Sequence, residues 1–278
     1  MAKVIDGKKL AEKVRKEIKS DLKAHKKKPV LSVILAGKNP ASKMYVKKKK
    51  EACEEAGIEC NVHNLSEHVV HDSIISLIEK LNENEEVDGI MVQLPLPKDI
   101  DTSVVLESIS PEKDVDGLTS ASLGKVAVGD ETFAPATAKG VIEMLESENA
   151  EIKGKHAVIV GHSNIVGKPI ALMLLNRFAT VTVCHVHSQP IDRYTKEADI
   201  LVSAVGKADL IKSDMVKEDA VVIDVGITKK EDGSISGDVD FEKVKKKASK
   251  ITPVPGGVGP MTIAVLMRNV VEASESGE

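Results

Sequence analysis

The sequence predicts an α/β protein of two domains, and three observations carry that expectation. Segments with helical and with strand patterning alternate from end to end, which is the rhythm of a βα-repeating fold. The length of 278 residues suits two domains of ordinary size, each able to bury a core. Finally, the apolar run HAVIV at 156–160 passes directly into a glycine-bearing loop and an apolar helix, so a second α/β unit starts after Gly154.

In chain order, an amphipathic stretch from Asp6 to His25 is the first predicted helix, and it leads into the strand VLSVILAG. A helix carrying the lysines at 47–50 follows, then a short strand from Cys60 to Asn64 and a helix from Ser73 to Asn82. The next strand runs apolar from Gly89 to Val92 and is stopped by Pro95 and Pro97, leaving Gln93 at its carboxyl end. Carboxyl ends of parallel strands are where α/β sheets place their ligands. After the loop PEKDVDGL comes a polar stretch with Gly124, Gly129 and Pro135, and then a helix from Ala138 to Glu148 that links the domains. The second unit supplies the strands HAVIV, ATVTVC, DILVSAV and AVVIDVG with helical spacers. The segment ITPVPGGVGP reads as neither helix nor regular strand. The final helix, MTIAVLMRNVVEA, is expected to pack back on the first domain. The expected domains are thus 1–138 plus 261–278, and 139–260. There is no internal repeat.

Composition excludes several function classes. The net charge is −4, from Lys+Arg 39 against Asp+Glu 43, and the lysine runs alternate with acidic residues, so no nucleic-acid partner is indicated. Aromatics are 2% and Trp is absent, so base-stacking platforms are missing and the core must be aliphatic. The opening residues lack the apolar run of a signal peptide, and no later stretch approaches a membrane span, so a cytoplasmic protein without membrane contact is expected. Cys53, Cys60 and Cys184 are too few and too scattered for a disulfide framework and read as reduced, packed thiols.

Within Lys47-Lys48-Lys49-Lys50 one charge differs from its neighbours. At about 100° per residue, Tyr45, Val46, Ala52, Cys53 and Ala56 fall within about 60° of Lys49, whereas Lys47, Glu51 and Glu54 point to the opposite side. A lysine among apolar neighbours is a candidate proton carrier, because burial disfavours the ammonium and lets it deprotonate nearer neutral pH. The alternative, from the helix alone, is a solvated lysine-rich face.

HAVIV leads into Gly161-His162-Ser163-Asn164-Ile165-Val166-Gly167-Lys168-Pro169 and then IALMLLNRF. This order of strand, glycine loop and helix lets backbone N–H groups and a helix N-terminus hold a pyrophosphate, as in a Rossmann-like dinucleotide-binding domain. Ser163 stands where the second glycine of GxGxxG would be, and the last glycine comes one position late; an ordinary tight turn is the alternative. About 20 residues past the first glycine, where an NAD site usually carries an acid, the chain has Cys184-His185-Val186-His187-Ser188. With no acid there a 2′-phosphate is not repelled, and His162, His187 and Ser188 could donate to it, which favours NADP over NAD. A metal site at Cys184, His185 and His187 is disfavoured, because on a strand the first two face opposite sides and no fourth ligand is apparent.

Five segments in family order, spanning nearly the whole chain, resemble the bifunctional methylenetetrahydrofolate dehydrogenase/cyclohydrolases: NPASKMYVKKK, VQLPLP, PEKDVDGL, GHSNIVGKP and TPVPGGVGPMT. The resemblance implies an N-terminal α/β folate-binding, catalytic domain, a Rossmann-like NADP domain and a cleft between them. It implies two reactions: NADP-dependent oxidation of 5,10-methylenetetrahydrofolate to the 5,10-methenyl cation, and hydrolysis of that cation to 10-formyltetrahydrofolate. Lys49 matches the family's catalytic lysine and Gln93 the glutamine that bonds it. An uncharged amide can accept from the ammonium without fixing it in the charged state. Tyr45, one turn before Lys49, would cover the folate ring. Asp116 matches the acid that binds the pterin, whose amino-pyrimidine edge can give a carboxylate paired hydrogen bonds; Asp114 would brace the loop. Val92, Leu94, Pro255, Gly256 and Gly257 complete the implied substrate contacts. The implied cofactor contacts are Thr137, Gly161, His162, Ser163, Ile165, Val166, Gly167, His187, Ser188, Ala204, Val205, Gly206 and Ile227. Homodimers paired through the second domain are implied as well.

Departures from the family pattern concern the cofactor rim and one helix start. The family's PCTPxG reads Pro135-Ala136-Thr137-Ala138-Lys139-Gly140, keeping Thr137. His162 stands where arginine often follows the first glycine, and CHS followed by a basic residue has become Cys184-His185-Val186-His187. Histidine brings less charge than arginine, so a weaker or pH-sensitive preference for NADP is expected. Two rivals are a dehydrogenase that has lost the hydrolase, which the presence of Lys49, Gln93 and Asp116 disfavours, and a catalytically silent folate- or dinucleotide-binding protein. A two-domain dehydrogenase of the shikimate type would share the architecture but not VQLPLP or PVPGGVGP.

Overall fold

The computed structural model describes residues 1–25, 27–230 and 232–276. The chain begins with β1 (Lys3–Val4), α1 (Gly7–Asp21), β2 (Val30–Ala36), α2 (Pro40–Ala56), β3 (Glu59–Leu65), α3 (His71–Glu83) and β4 (Gly89–Val92). Three helices follow: α4 (Thr102–Glu107), α5 (Ser120–Ala127) and α6 (Ala136–Ser147). Next come β5 (His156–Val160), α7 (Gly167–Asn176), β6 (Thr180–Cys184), α8 (Asp192–Thr195), β7 (Ile200–Ser203) and β8 (Val221–Asp224). The last elements are β9 (Thr228–Lys229), β10 (Ile235–Ser236), α9 (Phe241–Val244), β11 (Lys250–Ile251) and α10 (Val258–Ser276). They form two compact units. The N-terminal unit holds Lys13–Lys125, Thr132–Ala136 and Ile263–Glu278, and the central unit holds Met1–Glu12, Val126–Glu131 and Thr137–Thr262.

The N-terminal unit is built on a parallel sheet of order β3-β2-β4. β2 lies in the middle and is buried on both faces, as its apolar sequence, interrupted only by Ser32, requires. Side-chain alternation divides the sheet. Ile34, Ile90 and Val92 join Ile74 and Ile78 of α3 and Val105 of α4 in one apolar cluster, so Met91, one residue from each of Ile90 and Val92, points to the other face. α2 packs on β2 and β3. Asn39 starts this helix by accepting from the N–H groups of Ala41 (2.9 Å) and Ser42 (3.2 Å), and Gly57 ends it with a φ of 101°. Its buried residues, Ser42, Val46, Lys49, Ala52, Cys53 and Ala56, form one stripe at helical spacing.

The central unit carries a six-stranded sheet of order β1-β11-β8-β7-β5-β6, parallel throughout. β6 and β7 flank β5 on opposite sides, so the connections leave β5 in two directions and its carboxyl end is the switch point where such sheets bind ligands. Val158, Val160, Leu201, Val222 and Ile251 form the core of this unit, which Ala2 joins.

Several boundaries differ from the sequence expectation. Residues 1–12 belong with the central unit because Lys3 and Val4 pair with Lys250 and Ile251, and Ile5, 1% exposed, donates its N–H to Ile251 O. A two-residue edge strand has too little periodicity to show in a sequence. Ile251 is part of β11, and α10 begins at Val258, three residues early; Pro260 is tolerated in its first turn, where its missing N–H has no helical partner. α4 and α5, of 6 and 8 residues, lie in segments that showed no helical pattern.

Candidate active site

Lys49 is the charged residue of α2 that reaches the buried stripe, at 9% exposure. Its neighbours behave as solvated lysines: Lys47 and Lys50 pair with Glu51 and Glu54 one turn on, at 3.8 and 3.7 Å on an exposed face. The Lys49 Nζ donates to Met91 Sδ at 3.1 Å and to Gln93 Oε1 at 3.2 Å. The sequence supplies both partners from one strand end: Met91 faces α2 by alternation, and Gln93 follows where β4 stops. The Gln93 Nε2 donates to Leu94 O at 2.7 Å, which orients Oε1 toward the lysine. Burial holds the Lys49 ammonium pKa below its usual range, with the Asp116 carboxylate acting in the opposite sense. Tyr45, half-buried one turn earlier on α2, has its phenol pKa raised by burial.

Asp116 sits in a loop fixed from several sides. Buried Asp114 accepts from Leu118 N (3.1 Å), Thr119 N (2.9 Å) and Ser122 Oγ (2.7 Å), so it braces the loop and the start of α5. Gly117 has a φ of +71°, and a Cβ there would lie 2.4 Å from Phe133 O, so only glycine fits. Asn269 of α10 donates to Val115 O at 2.9 Å, and Ala136 N donates to Asp116 O at 3.3 Å. Burial pushes the Asp116 carboxyl pKa up; Lys49 opposes this and Asp114 adds to it. Lys49, Met91, Gln93 and Asp116 thus form one electrostatic group within the N-terminal unit. Val92 does not join it through its side chain, which packs in the cluster under α3; Leu94 is half-buried at the end of the same strand.

In the central unit Gly161 closes β5 with a φ of +120°, and a Cβ there would lie 2.4 Å from Ala204 O. A Cβ on Gly167 would lie 2.1 Å from Gly161 O, so the start of α7 is pressed against the turn itself. His162, Ser163 and Ile165 are exposed on this loop, Val166 is half-buried, and Lys168 N donates to Ser163 O at 3.0 Å. The next strand ends at Cys184, buried in the core, and His185 is already in an exposed turn, so the opposite faces of a strand do not govern this pair. That turn is tied by His185 N to Ser188 Oγ (3.1 Å) and by His187 N to His185 Nδ1 (3.2 Å). Ring centroids of His162 and His185 are 5.3 Å apart, and those of His185 and His187 are 5.9 Å apart. Three imidazoles therefore cluster beside the glycine loop, with His185 at their centre.

Val205 and Ile227 present exposed apolar side chains on the loops after β7 and β8, the former between Ala204 and Gly206. Thr137 Oγ1 accepts from Thr262 Oγ1 at 3.2 Å. Pro255, Gly256 and Gly257 also belong to the central unit: Lys8 N donates to Gly256 O at 3.1 Å, and a Cβ on Gly7 would lie 1.9 Å from Gly257 O. A switch-point strand, two glycines that no side chain can replace, and donors instead of a carboxylate after β6 suit an anionic dinucleotide.

Two family models match this chain. Residues 5–116 match the tetrahydrofolate dehydrogenase/cyclohydrolase catalytic domain, and residues 135–278 match the NAD(P)-binding domain of the same family. This chain belongs to the tetrahydrofolate dehydrogenase/cyclohydrolase family. It is 52% identical to the bifunctional protein FolD of Methanosarcina barkeri, across 99% of this chain and 97% of that one. A crystal structure of the bifunctional FolD methylenetetrahydrofolate dehydrogenase/cyclohydrolase from Campylobacter jejuni is 48% identical and superimposes with a TM-score of 0.97 over 99% of each chain. The Trypanosoma brucei FolD structure, complexed with NADP cofactor and inhibitor, is 36% identical with a TM-score of 0.94, over 99% of this chain and 98% of that one.

Helical spacing led to the lysine, and the order of strand, glycine loop and helix to the dinucleotide loop, but neither reached everything that shapes them. Met91 was hidden inside an apolar strand, where its opposite phase to Ile90 and Val92 was the available signal. His185 was considered only as a metal ligand on a strand, whereas it lies in the turn after β6 with its ring between those of His162 and His187. Buried Asp224, which ends β8, and buried Asp238, which follows the β9–β10 hairpin, carried a signal in the sequences DVG and GD.

Proposed function

We propose that this chain oxidises 5,10-methylenetetrahydrofolate to 5,10-methenyltetrahydrofolate with NADP and hydrolyses the product to 10-formyltetrahydrofolate. The observation that carries the hydrolase step is Lys49, buried and bonded to Met91 and Gln93 rather than exposed with the rest of its run. The bound dinucleotide supplies the hydride acceptor for the one-carbon bridge. Gly161, His162, Ser163, Ile165, Val166, Gly167, His187, Ser188, Ala204, Val205, Gly206, Ile227 and Thr137 would hold it.

Hydrolysis then falls to residues of the N-terminal unit. Water adds to the methenyl carbon and loses a proton, for which the Lys49 amine is the acceptor. The hydroxyl proton of the adduct is then lost, the bond from carbon to N5 breaks, and Lys49 returns a proton to N5. One proton is released to solvent over the sequence. Gln93 can accept from Lys49 in either protonation state, so it orients the amine without trapping it as ammonium. Asp116 would accept from the pterin's amino-pyrimidine edge, with Tyr45 over the ring and Leu94 and the Val92 backbone bordering the substrate.

A homodimer paired through the central unit and a cytoplasmic location belong to the same proposal. No described helix is long and apolar enough to cross a membrane. The direct test supplies methylenetetrahydrofolate and NADP to purified protein and identifies products by mass spectrometry. Reduced dinucleotide together with 10-formyltetrahydrofolate is the expected result; dinucleotide reduction that stops at the methenyl compound would leave a dehydrogenase alone.

A further inference from the structure

Two carboxylates in the central unit are buried and have no part in the chemistry above: Asp224 at 3% exposure and Asp238 at 0%. Asp224 ends β8, and Asp238 follows the β9–β10 hairpin. The Asp224 Oδ1 accepts from Gly226 N and from Asp238 N, both at 3.0 Å, and its Oδ2 accepts from Val239 N at 2.9 Å. The Asp238 Oδ2 accepts from Ser203 Oγ at 2.9 Å and Val205 N at 2.7 Å, and its Oδ1 accepts from Lys207 N at 2.8 Å. Each acid is seated against a glycine beside the other. A Cβ on Gly226 would lie 2.0 Å from Asp238 Oδ1, and one on Gly237 would lie 2.0 Å from Asp224 Oδ2. The pair is a reciprocal brace that only D-x-G and G-D sequences can build.

The amides held by this brace belong to the loops assigned to the dinucleotide. Asp238 holds Val205 and Lys207, on either side of Gly206, and Asp224 holds Gly226, next to Ile227. Ala204, whose carbonyl faces Gly161, precedes the first held amide, so the brace also backs the glycine turn. We propose that Asp224 and Asp238 are positioning residues for the dinucleotide, fixing the backbone of loops 204–207 and 225–227 before it arrives and without touching it. This rests on the NADP assignment made above.

Calorimetric titration of NADP+ into the wild-type protein, Asp238→Asn and Ser203→Ala tests it. Asp238→Asn replaces an acceptor oxygen with a donor opposite a loop amide and is expected to weaken NADP+ roughly tenfold. Hydrolysis of added methenyltetrahydrofolate should stay within about twofold of wild type. Ser203→Ala removes a bond to the same carboxylate but no loop amide, and should bind NADP+ within about twofold of wild type. Equal binding by Asp238→Asn and wild type, or parallel losses in both variants, would overturn the proposal while leaving the dehydrogenase assignment intact. Failure of the wild-type protein to bind NADP+ would overturn both. If Asp238→Asn does not fold, amide hydrogen exchange on the wild type decides. The Val205, Lys207 and Gly226 amides should exchange as slowly as those of β7 and β8 without dinucleotide; fast exchange that slows only on adding NADP+ would overturn pre-positioning.

Discussion

Lys49 differs from Lys47, Lys48 and Lys50 in environment and not in chemistry. The others spend their charge on water and on acids one turn away, whereas Lys49 has a thioether and an amide oxygen as its hydrogen-bond partners. Neither partner carries the full negative charge that would hold the ammonium. Replacing Gln93 with Glu supplies that charge 3.2 Å from the nitrogen. The Lys49 pKa would rise, less amine would be present at neutral pH, and the rising limb of the cyclohydrolase pH profile should move to higher pH. The rate at neutral pH should fall by about tenfold or more; a profile superimposable on wild type would contradict the role given to the amine. At the cofactor rim the residue-scale feature is the cluster of His162, His185 and His187, with His162 where arginine often stands. Imidazole N–H groups can donate to a 2′-phosphate without arginine's full charge, so turnover with NADP should exceed turnover with NAD at matched concentrations. Equal turnover with both cofactors would remove any role of these rings with a 2′-phosphate.

Long helices and apolar strands of four or more residues were legible in the sequence, whereas two-residue strands and the short helices α4 and α5 were not. α2 announces itself by Asn39, Pro40, a buried stripe at helical spacing and Gly57, and the placement of Lys49 follows from that periodicity. β2 and β4 are short, but each is an apolar run bounded by turn residues. β1 and β11, with two residues each, and α4, with six, are held by partners distant in sequence, which no local pattern can reveal. Loops are least legible of all, because their conformation is set by acceptors such as Asp114, Asp224 and Asp238 whose partners are backbone amides. The brace has a measurable pH signature. Burial pushes the Asp224 carboxyl up to about 6, with Asp238 adding to the effect and the three backbone N–H bonds opposing it. The folded chain therefore keeps a proton there that the unfolded chain, with the ordinary aspartate value of 3.8, has lost. Its contribution to stability is fully present below that value and is lost as pH rises through about 6, on the order of 3 kcal/mol in all. Asp224→Asn stays neutral, so the stability difference between variant and wild type should shift in favour of the variant between about pH 4 and 7. Parallel stability curves over that range would show that the carboxyl is ionised in the fold throughout.

At the scale of the molecule, the chain does not divide where a linear cut would place its domains. The first 12 residues join a unit whose other strands begin at His156, while the last residues, from Ile263, return to the N-terminal unit. Ile5 is the apolar anchor of that opening segment. Ile5→Ala should destabilise the protein by about 2–5 kcal/mol, the usual loss for a fully buried isoleucine, read as a lower midpoint in denaturant unfolding. A change below about 0.5 kcal/mol would mean that the segment is not held in solution. The central claim is that one protein carries both reactions, with Lys49 serving the second. It is tested most directly by following reduced dinucleotide and the methenyl compound together, in the wild-type protein and in Lys49→Met. Both proteins should reduce NADP, and the methenyl compound should accumulate only in the variant, whose hydrolysis should be slower by about a hundredfold or more. Hydrolysis by the variant at the wild-type rate would contradict the claim.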